Sequence, residues 1–241
     1  MSTDLVTTDL TSMYPVLDPK SDLAEAMKAN SSGGIDRTSL PTVSMPTAGN
    51  TQWSFTSAMG QEITAKAIVG IPVSKKKTGV LYPVEGGGFG KPPVLRTDDC
   101  ITATRISDDL GDIDPDVLEA ARIGDNEYDW QKLEYAQFGS ASNGFGKRVN
   151  EYLEIAMLQE NEAYPIVVRV SAGSIRVCES FIQLMPCVYW GSIIELGLVK
   201  AENKNGNAYS QVKPKLVDVL PKDVRDNIKQ LYSIPLGAEG V

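Results

Sequence analysis

The chain has 241 residues, of which 42% are hydrophobic and 22% charged, with a formal net charge of −8. That balance excludes a fully disordered chain and a collagenous fibre, and the length allows one decorated domain or two small ones. Histidine is absent, which excludes Ser-His-Asp and Cys-His nucleophile arrangements, every His metal ligand and the commonest general base.

The first fifty residues are rich in Ser, Thr, Asp, Gly and Pro. They read as a flexible N-terminal arm unless something docks it. Within it, residues 21–29 predict a short helix, with Ser21 as cap and Asp22 and Glu25 in the first turn. Residues 1–10 contain Asp4 and Asp9, no Lys or Arg and no apolar core, which is not the pattern of a secretory signal. Regular structure is expected from about Trp53, so residues 51–241 form the folded domain.

Residues 62–71 alternate, with Ile63, Ala65, Ala67, Val69 and Ile71 on one face and Thr64 and Lys66 on the other. That is the period of a half-buried strand. Lys75-Lys76-Lys77-Thr78-Gly79 predicts a basic loop, and 80–84 a second strand. Residues 85–150 read as an acidic, glycine-rich excursion. Asp114-Pro115 predicts a helix start and Gly124 its stop, and Asn205-Gly206 is a type I′ hairpin signal. Strands are expected at 152–158, 166–170, 192–202 and 208–220. Helices are expected at 174–185 and from Pro221 through Tyr232, the latter with an apolar stripe of Val224, Ile228 and Leu231.

No apolar run reaches 18 residues, so no membrane-spanning helix is expected. Cys100, Cys178 and Cys187 are odd in number and scattered, which favours a reducing cytoplasm over a disulfide framework. Without histidine they cannot fill a structural zinc site. The sequence therefore calls for no metal and no cofactor. Gly86-Gly87-Gly88-Phe89-Gly90-Lys91 is one residue short of a P-loop, and Pro92 replaces its hydroxyl residue. Gly139 to Lys147 also fails, with Ala141 where the first glycine belongs, and both stretches are expected to be mobile loops. Asp112, Asp114 and Asp116 open like a calcium loop, but Pro115, Val117 and Ile123 break it.

Residues 98–129 hold eleven acids against Arg105 and Arg122, whereas residues 51–97 hold six bases against two acids. A locally basic face is thus compatible with a pI of 4.7, although whole-chain acidity by itself argues against nucleic acid. On 208–220, Tyr209, Gln211, Lys213 and Lys215 share one face. A ring beside ammonium groups suits a single strand, because every base offers a π-face and every phosphate a charge. Lys66 and the Lys75, Lys76, Lys77 run add charge, although strand lysines also serve simply to guard an edge.

A set of motifs occurs in a particular order. It runs Leu81-Tyr82-Pro83, Gly90-Lys91-Pro92-Pro93, Asp98-Asp99-Cys100, then Phe138-Gly139-Ser140-Ala141 and Asn143-Gly144-Phe145-Gly146-Lys147-Arg148. Tyr164-Pro165-Ile166-Val167, the helix at Ser174 and Asn205-Gly206-Asn207-Ala208-Tyr209-Ser210 follow. In that order the motifs resemble a family of bacteriophage and prophage single-stranded-DNA-binding proteins, OB-fold proteins with a zinc-ribbon-like insertion. The likeness spans roughly residues 62–232 and implies a protein of phage DNA replication or recombination in the bacterial cytoplasm, and the favoured reading of the chain is non-enzymatic. The relatives carry cysteine pairs just before the Gly-Ser-Ala stretch. Here 133–137 contains none, which removes their zinc.

These readings together lead to a mainly β fold with α: an OB-like five-stranded barrel from residues 62–84 and 151–220, with a long loop-rich insertion and a C-terminal helix. The expected ligand is single-stranded DNA, held by Lys66, Lys75, Lys76, Lys77, Lys147, Arg148, Lys213 and Lys215 with Trp53, Tyr82 and Tyr209 as stacking rings. Phage or host replication proteins are further partners, a homo-oligomer is allowed and no membrane is involved. The alternative is an acidic phage accessory protein that binds a host or replication protein through residues 98–129. A third reading is a metal-dependent nuclease using carboxylates of that segment.

Overall fold

The structure is a computed structural model that describes residues 10, 12–18, 20–30, 39–56, 60–87, 90–203 and 206–232. In chain order its elements begin with helix α1 (Asp22–Asn30) and strands β1 (Thr42–Ser44), β2 (Trp53–Thr56), β3 (Glu62–Ala65) and β4 (Ala67–Leu81). Strands β5 (Leu95–Thr97) and β6 (Thr102–Arg105), helix α2 (Pro115–Ala120), and strands β7 (Glu127–Asp129), β8 (Asn150–Leu158) and β9 (Ile166–Ser171) follow. Helix α3 (Ala172–Gln183), strands β10 (Ser192–Glu202) and β11 (Ala208–Val219), and helix α4 (Lys222–Tyr232) complete it. The fold is mainly β, and the chain divides into two compact units, Met1–Lys75 with Ile155–Val241, and Lys76–Glu154.

In the first unit the strands lie in the order β1-β9-β8-β4-β10-β11. β1 joins β9 in parallel, and β10 pairs antiparallel with both β4 and β11. β2 and β3 form a separate antiparallel pair. Gly70 is required where β8 ends: a Cβ there would stand 2.3 Å from the Leu158 carbonyl oxygen. One apolar cluster joins the N-terminal residues to the sheet and α4, with Tyr14, Val16, Leu17 and Met27 packed with Ile71, Leu158, Val224, Ile228 and Tyr232. The described part of the expected flexible arm is therefore docked, because its apolar residues complete the cover of a sheet face. Ser21 caps α1 as expected, its Oγ accepting the Ala24 N–H at 3.1 Å.

The second unit orders β4-β5-β6-β7 around Leu81, Leu95, Ala103, Leu118, Tyr128, Trp130 and Leu133. Gly79 leaves room for the Trp130 ring, whose nearest carbon would lie 2.5 Å from an added Cβ. Asp114 caps α2 with Pro115 at its first turn, as expected, but the helix ends before Gly124.

Three expectations are corrected. The Lys75–Lys77 stretch is not a loop: residues 67–81 form one long strand. Residues 62–71 are not one strand either. The break at Lys66 turns the alternation, so Ile68 is buried at 1% exposure and Val69 lies 41% exposed. Ile63 and Ala65 are only half-buried, whereas Val167, Leu196 and Val212 are in the core. Finally, the barrel is not closed. Among the described residues β9 pairs with β8 and β1, and β11 pairs only with β10. The N-terminal end of α3 packs against β11, where the Val212 N–H donates to the fully buried Ser174 Oγ at 2.9 Å. Half of the Asn205-Gly206 turn lies outside the described residues.

Candidate nucleic-acid interface

The β4-β10-β11 segment has two unlike faces, because successive strand residues point to opposite sides. Ile68, Ile194, Leu196, Leu198, Ser210 and Val212 are buried on one side. The register places Val69, Glu195 and Lys215 in one row across the other side, and Ala67, Gly197 and Lys213 in the next. Val199 with Gln211 and Ala201 with Tyr209 continue it. This face is open: Lys213, Lys215 and Val69 are exposed and the rest half-buried. Gly197 lies at its centre, where an added Cβ would meet nothing closer than 3.6 Å. Tyr209 is half-buried because its ring edge rests on Gly173 at the start of α3, 3.3 Å from an added Cβ there. Lys66 is exposed at the bend just before β4. Glu195, opposite Lys215, is the one carboxylate among these paired positions.

The remaining expected site residues divide. Trp53 is fully buried and its Nε1–H donates to the Leu196 carbonyl at 2.8 Å. It is a core residue and cannot stack a base. Arg148 is 7% exposed and ties the Tyr82 carbonyl (3.2 Å) and the Asp112 carboxylate together, with Glu85 4.0 Å away. It is a structural cation because those acceptors enclose it. Tyr82 is half-buried, and Lys147 pairs with Glu151 at 2.8 Å. Lys76 faces Asp98 at 3.1 Å, whereas Lys77 is exposed. As consecutive strand residues the three lysines alternate in side and cannot act as one basic loop.

Lys75 belongs to a group that sequence reasoning missed. Tyr189 and Trp190 meet edge to face with centroids 4.9 Å apart. Lys75 Nζ lies 5.7 Å from the Tyr189 ring centre, and Lys229 Nζ lies 6.0 Å from that of Trp190. The adjacent Tyr-Trp pair was visible in the sequence, but the lysines come from β4 and α4, far away along the chain.

Much of the acidic segment is engaged within the Lys76–Glu154 unit, largely by cations that flank it in sequence. Burial would raise the Asp98 carboxyl, but the hydrogen bond and charge of Lys76, with Arg96 beside it, hold it below the ordinary aspartate range. Asp99 is likewise held low despite desolvation, by the N–H groups of Ile101 and Thr102 at 2.7 and 2.9 Å. Lys91 lowers Asp109 and Lys132 lowers Asp129, each chiefly through a side-chain hydrogen bond. Burial pushes the Cys100 thiol up to about 11 and Cys178 to about 12, so neither is a thiolate at neutral pH. Among the described residues no group of three or more Cys, Asp or Glu is placed to hold a metal ion, and no helix is long and apolar enough to cross a membrane. Comparison with protein-family models, with curated proteins and with solved structures gives no match for this chain.

Proposed function

We propose that this chain binds single-stranded DNA with little base selectivity, as a non-enzymatic phage protein of DNA replication or recombination in the cytoplasm of a bacterial host. The observation that carries the reading is the open β4-β10-β11 face, on which Tyr209 leads a row containing Gln211, Lys213 and Lys215. Rings stack on bases of any identity and ammonium groups neutralise phosphates. Gly197 lets a strand approach the sheet backbone. We read the sheet as an open OB-like barrel. β10-β4-β8-β9 has the 4-1-2-3 order of a Greek key, β11 follows β10, and α3 sits between the third and fourth strands. Docking of a partner through residues 98–129 has less support, since ion pairs and turns within that unit already engage Asp98, Asp99, Asp109, Asp112 and Asp129.

The test is a titration of labelled oligo-dT and of a duplex of equal length. Parent protein should prefer the single strand. Gly197→Glu, which adds bulk and charge to the open face, should lower affinity at least tenfold, about 1.4 kcal/mol, with an unchanged melting temperature. Equal binding of duplex, or full binding by Gly197→Glu, removes this face as the DNA site.

A further inference from the structure

We infer that the glycine-rich loop 138–147 is a second single-strand contact, in which Phe138 and Phe145 stack on nucleobases. The inference rests on the single-strand reading above but uses different residues. Phe138 and Phe145 expose 80% and 68% of their surface, so each leaves a large apolar ring in water that burial against a ligand would favour. The loop that carries them is tied down rather than loose. The Gly139 N–H donates to the Gly146 carbonyl at 2.6 Å, and each phenylalanine adjoins one partner of that bond in sequence. The Gly144 N–H donates to the Ala141 carbonyl at 2.8 Å, the Phe145 N–H to Asn143 Oδ1 at 2.8 Å and the Ser142 N–H to the Glu85 carboxylate at 3.0 Å. Ser140 Oγ donates to the Tyr135 and Gln137 carbonyls and accepts the Arg148 N–H at 2.9 Å. Rings presented by a pre-ordered loop lose little entropy on binding.

The surroundings select the ligand. Between the two rings the chain supplies only Gly, Ser, Ala and Asn, so the loop itself adds no further large apolar side chain of the kind a protein docking surface gathers. An aromatic face beside amide and hydroxyl groups matches a base, with its π-face and polar edge. Residues 135–150 contain no acid, whereas residues 76–154 as a whole hold fifteen. The loop's own residues therefore set no carboxylate against an anionic strand, and the Glu85 carboxylate accepts the Ser142 N–H and lies 4.0 Å from the Arg148 guanidinium. Lys147 is paired with Glu151 and Arg148 is buried, so the contact is made by stacking and adds little to the salt dependence.

The experiment uses the full chain, oligo-dT and an abasic oligonucleotide of equal length, over a range of salt. Phe138→Ala with Phe145→Ala should weaken dT binding about 5- to 150-fold for each stack lost, leave the salt slope unchanged and not alter abasic binding. Phe138→Tyr with Phe145→Tyr should bind like the parent. Photocrosslinking of a 5-bromodeoxyuridine oligonucleotide to the parent should label the peptide that contains these rings, and it requires no substitution. Full dT binding by the Ala variant, an equal loss on the abasic strand, or crosslinks that avoid the loop overturn this contact alone if parent protein binds dT. A parent that fails to bind dT overturns both this contact and the function on which it rests.

Discussion

Trp53 and Tyr209 are both aromatic residues on strands of the same unit, and their burial gives them opposite roles. Trp53 is fully enclosed with its indole N–H bonded to Leu196, whereas Tyr209 rests one edge on Gly173 and keeps part of its ring in solvent. Trp53→Ala should therefore cost about 3–5 kcal/mol of stability, the range for a large ring deleted from a core. Tyr209→Ala should leave the unfolding midpoint nearly unchanged and cost about 1–3 kcal/mol of single-strand affinity. Denaturant unfolding and dT titration of both variants check this pair, and a Tyr209 variant that loses stability but no affinity would mark the ring as packing alone. Alternation reported in advance that Tyr209, Lys213 and Lys215 share a face. It could not report that Trp53 is buried, since an aromatic on a short strand reads the same way in core or on surface.

At the scale of the element, the acidic segment shows how one composition supports two uses. Asp99 and Asp129 close turns by accepting backbone N–H groups, Asp114 caps α2, and Asp98 and Asp109 hold lysines. Asp98, Asp99, Asp109 and Asp129 are all held below the ordinary aspartate value. A carboxyl depressed in the folded state contributes stability that is present above its unfolded pKa and is lost as pH falls through the folded one. The Lys76–Glu154 unit should thus weaken as pH drops below about 4. Fluorescence of Trp130, buried in that unit, should report the transition during acid titration. An unchanged signal down to pH 2 would mean that these bonds contribute nothing to stability. The loop at 138–147 is a second case: its glycines predict mobility, yet side chains of Ser140, Asn143 and Glu85 bond it into one shape.

Over the whole molecule, a net charge of −8 opposes nucleic acid at long range, so affinity must come from local contacts. Salt acts on both terms, but counterion release dominates for phosphates neutralised by lysine. Log affinity should fall with log salt by roughly −0.7 for each neutralised phosphate of a single strand. Replacing Lys213 and Lys215 together by Ala should make that slope shallower by about 1.4, two phosphates' worth. Titrations of the parent and this variant between low and moderate salt measure the difference. Parallel lines would mean that neither lysine meets a phosphate.

Most local structure in the second half of the chain was legible in residue order alone. β10 covers the predicted 192–202, β11 nearly all of 208–220, and α4 carries the predicted stripe of Val224, Ile228 and Leu231 in the core. Hydrophobic period and proline positions are local signals, and these elements obey them. The remaining features depend on contacts between distant parts of the chain. β4 runs on through three lysines because its neighbours supply ladder bonds and ion pairs, and Val69 rather than Ile68 faces out because the bend at Lys66 shifts the period by one. Arg148 is buried because Tyr82, Glu85 and Asp112 converge on it from distant parts of the chain. Lys75 and Lys229 reach Tyr189 and Trp190 by the same route. Enclosure by distant residues is a property of the folded chain, and neither residue type nor local spacing encodes it.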